Sequence, residues 1–214
     1  MELAAVGFHR LVIDALNHSL AGRGEPVIYL SGPDGCGRTH LLLGQCAAAE
    51  RQGLKCTYVP LGDIGRLAPA MLEGLEGLDL IAIDDVHRIA GNADWEHSVF
   101  ALFNRCRERG ARLLFSADRG PAALSLGLPD LHSRLAWGLT LAVQPLDDEG
   151  RLQLLQSLAR RRALALPEEV ARYLLDRSPR HPSALDGAIE RLDRASLAEQ
   201  RRLTIPFVRD QLGL

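Results

Sequence analysis

Apolar positions along the chain change period several times, and each change predicts an element. Val6, Leu11, Val12, Ala15 and Leu16 recur at helical spacing and predict a helix over about 6–20, ended by Ala21-Gly22-Arg23-Gly24. Val27-Ile28-Tyr29-Leu30 is a short continuous apolar run and reads as a strand. A leucine-rich helical pattern follows over about 39–51 and stops at Gly53, and 55–59 reads as a second strand. Beyond Pro60-Leu61-Gly62, the stretch 64–75 predicts a short helix. The run Leu78-Asp79-Leu80-Ile81-Ala82-Ile83 predicts a strand buried on both faces, as in a parallel sheet, and it ends in Asp84-Asp85. Asp94 is expected to cap a helix whose apolar face is Trp95, Val99, Phe100, Leu102 and Phe103. Strands are expected at 112–116 and 139–143, with a short helix or turn over 128–135.

Strands alternating with helices predict an α/β fold, a doubly wound parallel sheet of five strands with flanking helices. After Gln144-Pro145-Leu146 the pattern becomes purely helical, with helices expected over 148–164, 167–177, 183–197 and 205–212. Pro167 and Pro206 suit first-turn positions. The expected organisation is an α/β domain over 1–145 and a small all-helical domain over 146–214.

The strand ends carry the candidate chemistry. Between the first strand and the next helix lies Gly32-Pro33-Asp34-Gly35-Cys36-Gly37-Arg38-Thr39. Its layout is that of a phosphate-cradling loop, with Arg38 where lysine is usual. Gly32, Gly35 and Gly37 permit the turns that aim backbone N–H groups at phosphate oxygens, and the helix start adds a favourable dipole. Thr39 is placed to set its hydroxyl on Mg²⁺. Asp84 is placed to hold that ion through water, and Asp85 to orient an attacking water. The separation of Thr39 and Asp84 is compatible with a sheet in which the two strand ends lie side by side. Ser116 and Asp118 end another strand, where a polar group senses a terminal phosphate. The plain alternatives are a ligand-free strand–helix turn, a solvated Asp-Asp turn and a surface turn. Arg134 precedes the last strand; it can serve a neighbouring subunit's nucleotide or make a structural salt bridge. His40, His87 and His181 show no metal-ligand spacing.

Composition narrows the classes. The chain is 47% hydrophobic and 24% charged with a net charge of −2, so no bulk field favours nucleic acid. Lys55 is the only lysine among 25 basic residues. The four cysteines form no C-x-x-C and no zinc-like pairing with histidine, as expected of thiols in a reducing compartment. Glu2, His9, Arg10 and Asp14 interrupt any signal-peptide core, and no apolar run approaches the ~20 residues of a membrane span. The expected location is the cytoplasm, with no membrane partner.

Five segments in order resemble the AAA+ ATPase family, and within it the DnaA group. They are Gly37-Arg38-Thr39-His40-Leu41-Leu42, Ile83-Asp84-Asp85-Val86, Ser116-Ala117-Asp118-Arg119, Leu131-His132-Ser133-Arg134-Leu135-Ala136-Trp137-Gly138-Leu139 and Leu185-Asp186-Gly187-Ala188-Ile189. Asp94-Trp95-Glu96, Leu126-Gly127-Leu128-Pro129-Asp130-Leu131, Leu192-Asp193-Arg194-Ala195-Ser196 and Leu203-Thr204-Ile205-Pro206-Phe207-Val208 are similar to the Hda-like branch, whose members also carry arginine in the loop. The resemblance implies an AAA+ P-loop NTPase fold with a helical lid. It implies ADP or ATP bound by residues 32–40, Asp84 and Asp118, with Mg²⁺ at Thr39 and Asp84. It also implies an arginine finger at Arg134 that makes ATP-bound DnaA hydrolyse its nucleotide together with the DNA-loaded sliding clamp. Intrinsic ATPase activity is expected to be weak, with Asp85 its catalytic carboxylate.

The expected partners are DnaA, the sliding clamp and, as a further option, a second copy in a homo-oligomer. Sequence-specific DNA binding is not expected. Two departures from the pattern stand out. The clamp-binding arm of the branch has no counterpart before the first helix, and Gln211-Leu212-Gly213-Leu214 reads as the end of a helix. The sensor-two arginine position is Ser183, with Arg180 or Arg191 as its substitutes. A self-sufficient motor of the helicase-loader kind and a nucleotide-independent adapter remain as alternatives.

Overall fold

A computed structural model describes residues 8–178 and 182–214. The chain divides into two compact units, one ending at Gln144 and the other running Pro145–Leu214.

In the first unit α1 (Phe8–Leu20) leads to β1 (Val27–Ser31), α2 (Arg38–Arg51) and β2 (Cys56–Pro60). After β3 (Leu80–Asp84) come α3 (Ala93–Arg109), β4 (Arg112–Ala117), α4 (Pro129–Trp137) and β5 (Leu139–Ala142). The five strands are parallel in the order β2-β3-β4-β1-β5. β4 therefore lies between β1 and β3, so the two strand ends that carry Thr39 and Asp84 are not neighbours, contrary to the expectation above.

Side chains alternate across the sheet with the period of two that a pleated strand imposes. Val27 and Tyr29 of β1, Ile81 and Ile83 of β3, and Leu113 and Phe115 of β4 enter one core, shared with α3 and α4. Ile28, Leu30, Leu80, Ala82 and Leu114 enter the opposite core, shared with α1 and α2. Both faces are covered, which is why β1, β3 and β4 read as continuous apolar runs. Within the first core Phe103 stacks on Phe115 with ring centroids 6.2 Å apart.

Four local expectations are corrected. Residues 64–77 form three short 3₁₀ turns rather than one helix, because Gly65, Pro69, Gly74 and Gly77 break any continuous turn. The cap of α3 is Asn92, whose side chain accepts from the Trp95 N–H; Asp94 sits inside the first turn. Leu11 is 68% exposed, and the buried stripe of α1 is Val12, Leu16 and Leu20. Pro167 is the N-cap residue of its helix rather than a first-turn residue.

The second unit is all helical: α5 (Asp148–Arg161), α6 (Glu168–Arg177), α7 (Pro182–Glu199) and α8 (Ile205–Leu212). Its own core includes Leu152, Leu155, Val170, Leu174, Leu185, Ile189, Leu192 and Phe207. Asp147 and Thr204 cap α5 and α8 through the N–H groups of Gly150 and Phe207. Ala163 and Gln200, each just past a helix end, hold left-handed backbones at φ 53° and 52°. Among the described residues no helix is long and apolar enough to cross a membrane.

Candidate nucleotide site

The sheet's pleat collects the polar side chains. Asp84 continues the face of Leu80 and Ala82, Ser116 that of Leu114, and in parallel register Tyr58 lies opposite Ala82 on the neighbouring strand. All three therefore sit on the α2 side, beneath the point where α2 begins. Asp84 is 2% exposed. One carboxylate oxygen accepts from Thr39 Oγ1 and from Tyr58 Oη, both at 2.7 Å. The other accepts from the Asp85 N–H at 3.1 Å and from Ser116 Oγ. Ser116 Oγ in turn accepts from the Asp85 N–H at 3.0 Å. Burial and the bond to Asp84 push the Tyr58 phenol well above its ordinary range, so it acts as a fixed donor.

The loop itself is shaped by two left-handed glycines, Gly35 (φ 76°) and Gly37 (φ 103°). Gly37 is the N-cap of α2 and provides no side-chain acceptor, so no side chain caps the N–H groups of the helix's first turn. Gly32 is required for packing: a Cβ there would lie 2.2 Å from the Val143 carbonyl oxygen and 2.8 Å from Cys36 Sγ. Cys36 is buried, and that burial raises its thiol pKa.

Arg38 is only 7% exposed and turns back into the loop. Its guanidinium donates to the Gly32 carbonyl, to Asp85 Oδ1 at 3.0 Å and to Asp34 Oδ1 at 3.3 Å. Its Nε is buried with no partner. Burial alone would weaken its charge, but the bonds to Asp85 and Asp34 outweigh it and hold the guanidinium firmly protonated. Asp85 has a left-handed backbone, φ 56°, which turns the chain so that its carboxylate reaches Arg38. His40 is exposed.

Asp118 holds Arg119 through two bonds of 2.9 and 2.7 Å, which lower its pKa. Its N–H donates to His87 Nδ1 at 3.4 Å, and that same nitrogen lies 3.9 Å from the Asp85 carboxylate. Tyr29 Oη donates to the Arg119 carbonyl at 2.9 Å. Thus Arg38, Thr39, Asp84, Asp85, Ser116 and Asp118 form one connected cluster, and Tyr58 and His87 join it without having been expected. Both had a signal available: in a parallel sheet, polar residues at strand ends converge.

Arg134 stands outside this cluster. It is half-buried on α4, its guanidinium carbon 5.9 Å above the Phe103 ring. Among the described residues it has neither a hydrogen-bond nor an ion-pair partner. Trp137, one turn on, is 50% exposed and carries Arg107 at 4.9 Å from its ring. The start of α4 is held by Glu96 of α3. This carboxylate is 1% exposed and accepts from the N–H groups of Gly91 (2.8 Å), Gly127 (3.1 Å) and Leu128 (2.7 Å). Arg180 and the Ser183 side chain lie outside the described residues. Arg191 donates to the Gln211 carbonyl at 2.8 Å.

This arrangement matches known proteins. A family model described as the bacterial DnaA ATPase domain matches residues 66–142, and one described as the lid domain of Hda matches residues 148–212. The chain belongs to the Hda- and DnaA-related AAA+ proteins. Among solved AAA+ structures, domain III of the Thermotoga maritima replication initiation protein DnaA has a TM-score of 0.79 at 23% identity, covering 98% of this chain and 92% of that one. The AMPPCP-bound DnaA of Aquifex aeolicus has a TM-score of 0.71 at 24% identity over 91% of this chain. The chain spans 64% of that protein's length. The RuvB Holliday junction branch migration motor of Thermotoga maritima shares the fold at 16% identity, with a TM-score of 0.69 over 96% of this chain and 67% of that one.

As a member of this family the chain can be tested for the groups that the fold implies. A phosphate fits: an uncapped helix start, two left-handed glycines and a buried guanidinium with one orphaned nitrogen surround the loop. A divalent cation does not. A carboxylate offers about four acceptor positions, and all those of Asp84 are filled by protein donors. Among the described residues no group of three or more His, Cys, Asp or Glu side chains is placed to hold a metal ion.

Proposed function

We propose that this chain is a regulator of replication initiation that holds ADP in its own loop and directs its chemistry at a nucleotide held by DnaA. The observation that carries the reading is Arg134. An arginine near an aromatic ring, with no acidic partner among the described residues, keeps its five donors available for phosphate oxygens. The loop's own arginine is in the opposite state, since Arg38 is spent on Asp34, Asp85 and Gly32. The AMPPCP-bound relative supports a nucleotide in the equivalent loop.

In this reading residues 32–40 cradle the phosphates, with Asp118 beside them. Asp84 and Asp85 keep Thr39 and Arg38 in place rather than activating water. Arg134 enters the site of ATP-bound DnaA and stabilises charge on the transferring phosphoryl group, a role worth ~10³–10⁵ in rate when an arginine finger is supplied in trans. The DNA-loaded sliding clamp is the assembly partner.

The test mixes the purified chain, sliding clamp and DNA with ATP-loaded DnaA and follows ADP formation. Stimulation that disappears in Arg134→Ala, with ADP binding by the chain unchanged, is the expected result. Full stimulation by Arg134→Ala, or no stimulation by the wild type, refutes the reading. Rapid turnover by the chain alone, lost in Asp85→Ala, would instead assign it a motor of its own.

A further inference from the structure

The environment of Asp84 has a consequence for the ligand itself, resting on the reading that the loop holds a nucleotide. We propose that the site takes its nucleoside diphosphate without a divalent cation, and that Tyr58 is the positioning residue that makes this so.

A magnesium ion needs near-octahedral oxygen geometry, keeps several of its waters and is normally held by carboxylate and hydroxyl oxygens of the site. Here the hydroxyl and the carboxylate are committed to each other, at 2.7 Å between Thr39 Oγ1 and Asp84. The same carboxylate oxygen takes a second bond from Tyr58 at 2.7 Å, so neither of its acceptor positions faces an incoming ion. The other oxygen is closed by Ser116 and the Asp85 N–H. At 2% exposure Asp84 has no solvent face for a hydrated ion. The second carboxylate is no substitute, because Asp85 is ion-paired with Arg38 at 3.0 Å. Cationic charge next to the phosphates is instead supplied by Arg38 itself, which is held protonated whatever the metal concentration.

Tyr58 is the deciding member. Thr39, Ser116 and the backbone N–H approach Asp84 from the loop, from β4 and from its own chain. Tyr58 comes from β2 on the far side of β3 and closes the last acceptor position. Removing its hydroxyl frees one lone pair on the oxygen that already faces Thr39.

The experiment is calorimetric titration of the full chain with ADP, in excess EDTA and in excess MgCl₂, for wild type, Tyr58→Phe and Thr39→Ala. Wild-type affinity is expected to agree within about twofold between the two buffers. Tyr58→Phe is expected to acquire a magnesium response, binding ADP about tenfold tighter with the metal than without. A purely structural tyrosine would lower the melting temperature without creating that response. Thr39→Ala is expected to weaken binding equally in both buffers. Wild-type binding that tightens about tenfold or more with magnesium overturns this inference and leaves the nucleotide reading standing. No ADP binding in either buffer overturns both.

Discussion

Replacing Gly32 by alanine tests how tightly the loop is built. The added Cβ would lie 2.2 Å from the Val143 carbonyl oxygen. Ordinary carbon–oxygen contacts begin near about 3.3 Å, so the two segments must part by about 1 Å. The Val143 N–H bond to the Ser31 carbonyl (2.6 Å) and the Gly32 N–H bond to the Ala117 carbonyl (3.2 Å) both span that junction. Losing two backbone bonds costs about 2 kcal/mol. Overpacking against Cys36 and Val143 adds about 1–3 kcal/mol. The total of about 3–5 kcal/mol corresponds to a fall of about 2 M in the urea midpoint, for a slope near ~2 kcal/mol/M. The chain's two tryptophans, Trp95 and Trp137, both belong to the first unit, so intrinsic fluorescence reports that unit alone. Gly120→Ala is the matched control. Its backbone is at φ −65° and nothing lies within 4 Å of a Cβ there, so it should be neutral or gain about 0.4–1 kcal/mol. If the two variants unfold at the same midpoint, the account of the loop is wrong.

Three further outcomes follow from features outside the loop. Glu96→Ala leaves three buried N–H groups without an acceptor, for about 3 kcal/mol or more, and is expected to lose stimulation of DnaA while keeping ADP binding; denaturation and calorimetry check the two halves separately. Gln200→Gly relieves a left-handed backbone at φ 52° and should stabilise the second unit by about 0.5–1 kcal/mol in a circular-dichroism melt. Burial raises the Cys46 thiol from 9.0 to about 12, so the folded state keeps the proton when the unfolded chain has released it. Stability is then level below the unfolded value and falls by about 1.4 kcal/mol per pH unit from there towards the folded one; Cys46→Ala should flatten that slope in alkaline urea titrations.

How much of this could be read from the chain depended on whether a feature was local. The run Leu80–Asp84 announced a doubly buried strand because every one of its residues is covered, and the glycine loop announced itself because Gly35 and Gly37 must turn left-handed within a few residues. The shift to a helical period after Pro145 was equally local. What escaped was set through space. Nothing between β1 and β3 in sequence says that β4 will lie between them and deliver Ser116. Tyr58 looked like an ordinary strand tyrosine because its partner is 26 residues away on another strand. His87 showed no ligand spacing, and its neighbours Asp85 and Asp118 converge only when two strand ends are brought together. The motif made Arg38 look like a phosphate ligand, whereas burial and two carboxylates decide where its guanidinium goes. Residues 64–77 have helical spacing in their apolar positions, but the glycines and Pro69 interrupt every turn.

The Glu96 clamp bears on any effort to transplant the arginine element. Residues 129–137 form a short helix whose first N–H groups are gripped by a carboxylate more than thirty residues earlier in the chain. Its outer surface rests on Phe103 of the same donor helix, through Arg134 and Trp137. A graft of α4 alone would thus carry the arginine but not its aim. The portable module is α3 and α4 together, with Glu96 and Phe103 as the two points that hold one against the other.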